Sequence, residues 1–209
     1  MRLCSIATFL LLCAALRTAG AQPRQFGGKV GVTAASPKYE ATDDDEGYGK
    51  RVFVSGGGFI VQPLHGPFAF QLEGLFVPKG GELDPHDPVH TVYTLILNYI
   101  EIPALLRIAV ARSSSHSVYV FGGAAPALRI DAKFRTAAGR PITSGVDENI
   151  SSQVKVYDFS VVGGGGVDVG RHLVVDARYD WGLTNVNRGA PSGHGIYNRA
   201  FTVLAGFRY

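Results

Sequence analysis

Apolar and polar residues alternate with a period of two along most of the chain, and that alternation predicts strands. At the C-terminus Phe201, Val203, Ala205, Phe207 and Tyr209 share one parity; Thr202, Leu204, Gly206 and Arg208 share the other. Leu173, Val175, Ala177, Tyr179, Trp181 and Leu183 alternate in the same way with Val174, Asp176, Arg178, Asp180 and Gly182. Tyr157, Phe159 and Val161 oppose Asp158, Ser160 and Val162, and Phe68, Phe70, Leu72 and Phe76 oppose Gln71 and Glu73. Ile100, Ile102, Leu106, Ile108 and Val110 oppose Glu101 and Arg107, but Tyr93, Leu95 and Leu97 fall on the other parity. A bulge near Asn98 or Pro103 would produce such a change. Few windows place apolar residues at helical spacing, and glycine interrupts most of those. The pattern predicts strands at 26–34, 51–62, 67–78, 90–110, 117–132, 155–169, 173–184 and 197–209.

The predicted connections alternate in length. Those at 35–50, 79–89, 133–154 and 185–196 are long, and those at 63–66, 111–116 and 170–172 are short. Barrels inserted into an outer membrane from one side have this sorting, with short turns and both termini on the periplasmic side. The fold class expected is therefore all-β: an eight-stranded antiparallel up-and-down transmembrane β-barrel. Alternation alone does not say which face points inward, since a soluble lipocalin-like barrel buries its apolar face and a membrane barrel turns it to lipid. Aromatic residues favour the membrane form. Tyr93, Tyr157, Phe159, Tyr179 and Trp181 gather toward the long-loop ends of their strands, and Phe207 and Tyr209 toward the other end, as two girdles around an aliphatic band.

The first residues read differently. Arg2, the apolar run Leu3–Leu16 and Ala19-Gly20-Ala21 make a signal peptide over 1–21, leaving a barrel domain over 22–209. Cys4 and Cys13 leave with that segment, so the mature chain can form no disulfide, thiolate metal site or cysteine nucleophile. No remaining stretch is long and apolar enough for a membrane helix. Of 209 residues 46% are hydrophobic and 18% charged, which excludes disorder, and a net charge of +3 is too small and scattered for a nucleic-acid surface.

The polar parity carries the candidate chemistry: Glu73, Glu101, Arg107, Arg129, Asp131, Asp158, Asp168, Asp176, Arg178, Asp180 and Arg208. These could line a pore, but eight strands leave an interior only wide enough for side chains, so a plug of ion pairs is the favoured reading. Glu101 is expected to point inward and to pair with Arg107 or Arg129. Asp84, His86, Asp87 and His90 have metal-like spacing in a proline-containing loop, yet form no closed ligand set, and Asp43–Glu46 lacks the spacing of a calcium loop. Neither is taken as a site, and no metal or cofactor is expected. The Gly163–Gly166 run is not followed by a helix, so it is read as space for large neighbouring side chains instead of a dinucleotide turn. His116-Ser117 is an adjacent pair with no acid placed to orient the histidine, and His194 and Ser192 share a loop, so no catalytic residue is assigned.

The stretch Leu97-Asn98-Tyr99-Ile100-Glu101-Ile102-Pro103-Ala104-Leu105-Leu106-Arg107 resembles the L-N-Y-L-E-I-P-x-L-L-K element of PorT-like outer-membrane β-barrel proteins. Gly28–Val32 is similar to that family's first strand, and Tyr119–Leu128 to its fifth. The resemblance implies an eight-stranded barrel in the bacterial outer membrane and little about activity. The expected role is non-catalytic: structural, adhesive, or assisting secretion or assembly. The alternatives are a lipid-acting enzyme and a soluble lipocalin-like binder. Expected partners are outer-membrane lipid and lipopolysaccharide, the insertion machinery that reads the C-terminal strand ending in Tyr209, and an unidentified envelope protein; nucleic acid is not one. The chain is expected to be monomeric.

Overall fold

The computed structural model describes residues 23–40, 49–83, 91–138, 145–189 and 195–209. The segment 1–21 read as a signal peptide, Asp43–Glu46, the Asp84–His90 group, Ser192 and His194 lie outside the described residues. Eleven strand segments follow one another: β1 Gln25–Ala35, β2 Lys38–Tyr39, β3 Arg51–Pro63, β4 Phe68–Leu83, β5 Thr91–Glu101, β6 Ala104–Arg112, β7 His116–Ala138, β8 Gly145–Asn149, β9 Tyr157–Val169, β10 Leu173–Asn185 and β11 Ile196–Arg208.

All pairings are antiparallel, in the order β1-β3-β4-β5-β7-β9-β10-β11, and β11 closes on β1 with Val32 opposite Val203. β5 and β6 are one barrel strand interrupted at Ile102-Pro103, because β4 and β7 pair with both. This makes a closed eight-stranded barrel, the fold class expected. β2 and β8 are short additions at one end, pairing β11 and β7. β8 and the upper part of β7 form a hairpin inside the stretch 133–154, where the sequence pattern predicts only a loop. The connections 64–67, 113–115 and 170–172 lie at the end that carries both termini.

Outer and inner faces are of opposite character. Val30, Val54, Ile60, Ile102, Leu106, Val110, Ile130 and Leu183 are exposed on the outside, whereas Lys29, Glu73, Lys79, Glu101, Asp158, Asp176, Arg178 and Asp180 are each at most 5% exposed within. In water such an apolar jacket would be a severe liability; in hydrocarbon it is the favoured surface. An apolar cavity inside a polar shell, the lipocalin arrangement, is thus reversed here. Phe26 stacks on Tyr209 at 6.1 Å and Phe207 lies 5.3 Å from Tyr209 at the terminal end, while Tyr179 and Trp181, 4.5 Å apart, sit toward the other. Tyr93 departs from the girdle expectation: it stacks on Phe134 at 5.9 Å and shares the inward parity of Leu95 and Leu97.

The strand does not change parity near Asn98; its inner face changes from apolar to charged. Leu95, Leu97, Tyr99, Glu101, Leu105 and Arg107 are all buried, so inward parity is unbroken from β5 into β6. The irregularity lies across the ladder: Asn98 faces Asp131 and Tyr99 faces Arg129, leaving Ile130 of β7 as the extra residue. Pro103 sits in the gap between β5 and β6, where its carbonyl accepts from Glu73 N at 3.0 Å and Ile102 N donates to Pro126 O at 2.9 Å. A residue without an N–H is tolerated at such a break.

Two glycines of the Gly163–Gly166 run face inward and make room. A Cβ on Gly164 would lie 2.7 Å from the Phe121 ring, and one on Gly166 would lie 2.5 Å from the Tyr119 hydroxyl. Any larger residue there would collide with an aromatic side chain that fills the lumen.

Candidate functional site

The lumen is a column of charges in three tiers. At the terminal end Asp168 Oδ2 accepts from Arg107 at 3.0 Å and lies 2.8 Å from Arg208 Nη1. Arg107 also donates to Gln71 Oε1 at 2.9 Å, and the Gln71 amide donates to Glu73, linking this tier to the next.

The middle tier is a closed square. Lys29 Nζ lies 2.7 Å from Glu73 and 2.6 Å from Asp176; Arg178 reaches Glu73 at 2.5 and 3.1 Å and Asp176 at 3.0 Å. Two cations and two carboxylates alternate, from β1, β4 and β10. Above it, Lys79 lies 2.5 Å from Glu101 and 3.9 Å from Asp158. Asn198 Nδ2 donates to Asp158 at 2.8 Å and to the Tyr99 hydroxyl at 3.2 Å, and Asp180 is near enough to Lys79 to act on it electrostatically.

Four of the cations also rest on aromatic rings. Ring-centroid distances are 4.9 Å for Lys29 over Phe59, 5.6 Å for Lys79 over Tyr99, 3.6 Å for Arg107 over Tyr119 and 5.4 Å for Arg178 over Phe121. Three of those rings in turn lie against Gly27, Gly164 and Gly166. Glycine admits the ring, the ring supports the cation, and the cation pairs the carboxylate. Each contact offsets part of the desolvation that a buried charge costs.

Three of the predicted residues sit otherwise than expected. Glu101 points inward, but its partner is Lys79 and not Arg107 or Arg129. Arg129 donates instead to the backbone carbonyls of Ser151 at 2.9 Å, Lys155 at 3.2 Å and Val154 at 3.4 Å, fastening the 150–156 connection over the barrel mouth. Asp131 leaves the column: the extra residue Ile130 reverses parity, so its carboxylate is 29% exposed and lies 3.4 Å from Lys133. Glu73, Arg107, Asp158, Asp168, Asp176, Arg178, Asp180 and Arg208 are brought together in the lumen or at its mouth.

Lys29 and Lys79 were not on the list. Lys29 sits in the glycine-broken pattern of β1, and Lys79 follows Pro78, one residue past the predicted end of its strand. Charge balance could have found them. The list is rich in carboxylates, and buried carboxylates need cations. With the two lysines included and Asp131 removed, the lumen and its mouth hold six cations and six carboxylates.

Above the charges the lumen is apolar. Leu95, Leu97, Tyr99, Ala132, Val154 and Val186 pack together, with Phe134, Ile150 and Ile196 against them. At the other end Ser115 Oγ lies 2.8 Å from His116 Nδ1, so the histidine's partner is Ser115 and not Ser117. Both residues are exposed on a turn, and among the described residues no carboxylate is hydrogen-bonded to His116. No group of three or more histidine, cysteine or acidic side chains among the described residues is placed to hold a metal ion. Outside the band, Arg135 and Asp147 form a two-pronged pair at 2.6 and 2.9 Å. Those hydrogen bonds hold the Asp147 carboxyl below its usual value.

A family model described as an outer membrane protein beta-barrel domain matches residues 20–188. Among solved structures, Ail, the attachment invasion locus protein of Yersinia pestis, is 12% identical, with 90% of this chain and 100% of that one covered at a TM-score of 0.46. Neisserial surface protein A is 14% identical, with 90% and 98% covered at 0.44. The outer membrane protein OprG of Pseudomonas aeruginosa is 9% identical, with 91% and 98% covered at 0.45. No curated protein sequence matches the chain.

Proposed function

The chain belongs to the outer membrane protein beta-barrel domain family, and from that premise we propose that it works without catalysis, as a closed membrane anchor whose rim and loops meet another component of the cell envelope or surface. It resides in the bacterial outer membrane. The observation that carries the proposal is the filled lumen. Three tiers of charged side chains, with an apolar cluster above them that borders a cavity of only about 160 Å³, close the path through which a porin would conduct, so the outer surface and the rim are left to do the work. The role is structural, adhesive or assisting in assembly. The Leu97–Arg107 stretch supports reading the chain as a PorT-like member. Tyr209, just past the end of β11 among the aromatic residues of the terminal end, suits recognition by the insertion machinery, and outer-membrane lipid with lipopolysaccharide is its surrounding partner.

The test is complementation of a deletion strain, with planar-bilayer recordings of the purified barrel. Variants that trim 84–90 or 190–194 should assemble yet fail to complement, and the barrel should pass only small, sporadic currents. Full complementation by loop-trimmed barrels, or stable porin-like openings, would overturn the proposal in favour of a transport role for the charged column.

A further inference from the structure

At the end away from the termini, the apolar cluster borders a cavity of about 160 Å³. Seven of its nine lining side chains are apolar, Leu97, Phe134, Ile150 and Ile196 among them, and the other two are the uncharged amides of Gln153 and Asn187. Leu97 is fully buried, whereas Gln153 is exposed and Phe134, Ile150, Asn187 and Ile196 are half-buried, so the cavity opens at the barrel mouth. Next inward on β5 comes Tyr99, whose ring centroid lies 5.6 Å from Lys79 Nζ, so the charged column begins only beyond that ring.

The walls are built from both the barrel and its connections. Strands β5 and β7 supply Leu97 and Phe134, and the segments around 150–154 and 186–196 supply the opposite side. Those segments are knitted together: Val154 bridges Asn187, Lys155 N donates to Val186 O at 2.8 Å, Arg188 N to Gln153 O at 2.9 Å and Val186 N to Ile196 O at 2.8 Å. Arg129 adds its hydrogen bonds to the carbonyls of Ser151, Val154 and Lys155. A pocket held in this way binds without first paying to order its walls. A cavity of about 150 Å³ walled by Leu, Ile and Phe stays dry and takes up a molecule the size of benzene. An ion would lose its hydration there with no counter-charge in the walls. The two amides offer donors and acceptors to one uncharged polar group.

We propose that this cavity is a binding site for a neutral molecule with an apolar body the size of one six-membered ring and a single uncharged polar group. The body lies among Leu97, Phe134, Ile150 and Ile196, and the polar group meets Gln153 and Asn187 at the mouth. The site goes beyond the anchoring role, which stands whether or not a small molecule binds.

The test is a methyl NMR titration of the purified full-length barrel in zwitterionic detergent near neutral pH, with the isoleucine δ1 methyls labelled. The probes are benzyl alcohol, benzoate and naphthalenemethanol, each at a free aqueous concentration fixed by dialysis. Ile150 and Ile196 report the cavity, while Ile60 and Ile102, 50% and 52% exposed on the outer face, report partition into detergent. Benzyl alcohol should shift Ile150 and Ile196 to saturation, and Ile60 and Ile102 only in proportion to concentration. Benzoate, the same ring with a charge, should bind about tenfold or more weaker. Naphthalenemethanol should bind no tighter than benzyl alcohol despite its larger apolar area. Ile150→Trp, which fills the cavity, should remove the saturable response at Ile196. The variant is first checked for the shifted mobility of a folded barrel on unheated gels; should it fail to fold, the wild-type comparison decides alone. A response to benzyl alcohol that does not saturate, equal binding of benzoate, tighter binding of naphthalenemethanol, or an undiminished response in folded Ile150→Trp would each overturn the assignment.

Discussion

Replacing Lys29 by methionine removes one corner of the middle tier and keeps most of its volume. The ammonium lies 2.7 Å from Glu73 and 2.6 Å from Asp176, with every side chain involved at most 1% exposed, so no water can take its place. Glu73 and Asp176 would then share Arg178 alone, leaving one buried negative charge without a partner. Breaking a buried pair in this way costs about 3–5 kcal/mol, a shift of about two to four orders of magnitude in the folding equilibrium. The cation–ring contact with Phe59 is lost as well. The pairing itself is tested by adding Asp176→Leu. The double variant removes one charge of each sign and keeps the Glu73–Arg178 pair, so its cost should fall at least about 2 kcal/mol short of the sum of the single costs. Both are read by urea titration in lipid vesicles, following Trp181 fluorescence and the gel mobility of the folded barrel. A cost below about 1 kcal/mol for Lys29→Met, the scale of an exposed pair, or strict additivity in the double variant, would refute the reasoning.

Three further outcomes are expected. Val203, 37% exposed on the outer face, should tolerate arginine poorly, at about 2–4 kcal/mol in the same titration, whereas arginine at exposed Lys50 should be neutral; equal tolerance would count against a lipid-facing Val203. Gly164→Ala should destabilise by about 1–3 kcal/mol, since the new Cβ meets Ala177 O at 2.3 Å and the Phe121 ring at 2.7 Å, while Gly74→Ala, with nothing within 4 Å, should stay within about 0.5 kcal/mol. Arg135→Gln should raise the Asp147 carboxyl toward the ordinary aspartate range in an NMR titration. Because that carboxyl is held low in the folded chain, the pair's contribution is present above the ordinary aspartate range and lost as pH falls through the lowered value; an unmoved Asp147 would show that Arg135 is not the cause.

The barrel itself was legible from residue types alone. Phe201 to Tyr209 and Leu173 to Leu183 alternate so regularly that strand identity, antiparallel order and even strand number follow from a period of two and from the sorting of loop lengths. The sequence also placed Glu73, Glu101, Asp176 and Arg178 each on the polar parity of its own strand, because local pleating fixes parity within one strand. It could not carry parity through a bulge. One extra residue, Ile130, turns Asp131 out of the lumen while Arg129 stays in, and nothing in the local pattern marks which of the two paired strands holds the extra residue.

Only the closed tertiary structure decided which charges meet. Lys79 finds Glu101 across the β4–β5 ladder, Lys29 finds Asp176 at the far end of the chain, and Arg129 finds backbone carbonyls instead of a carboxylate. Ring closure sets these distances: Glu73 and Arg178 lie on strands that no local pattern places face to face across the lumen, yet their side chains reach each other there. Parity is a property of a single strand and can be read along it. Pairing across a lumen depends on the stagger and curvature of all eight strands at once, and these exist only when the barrel has closed.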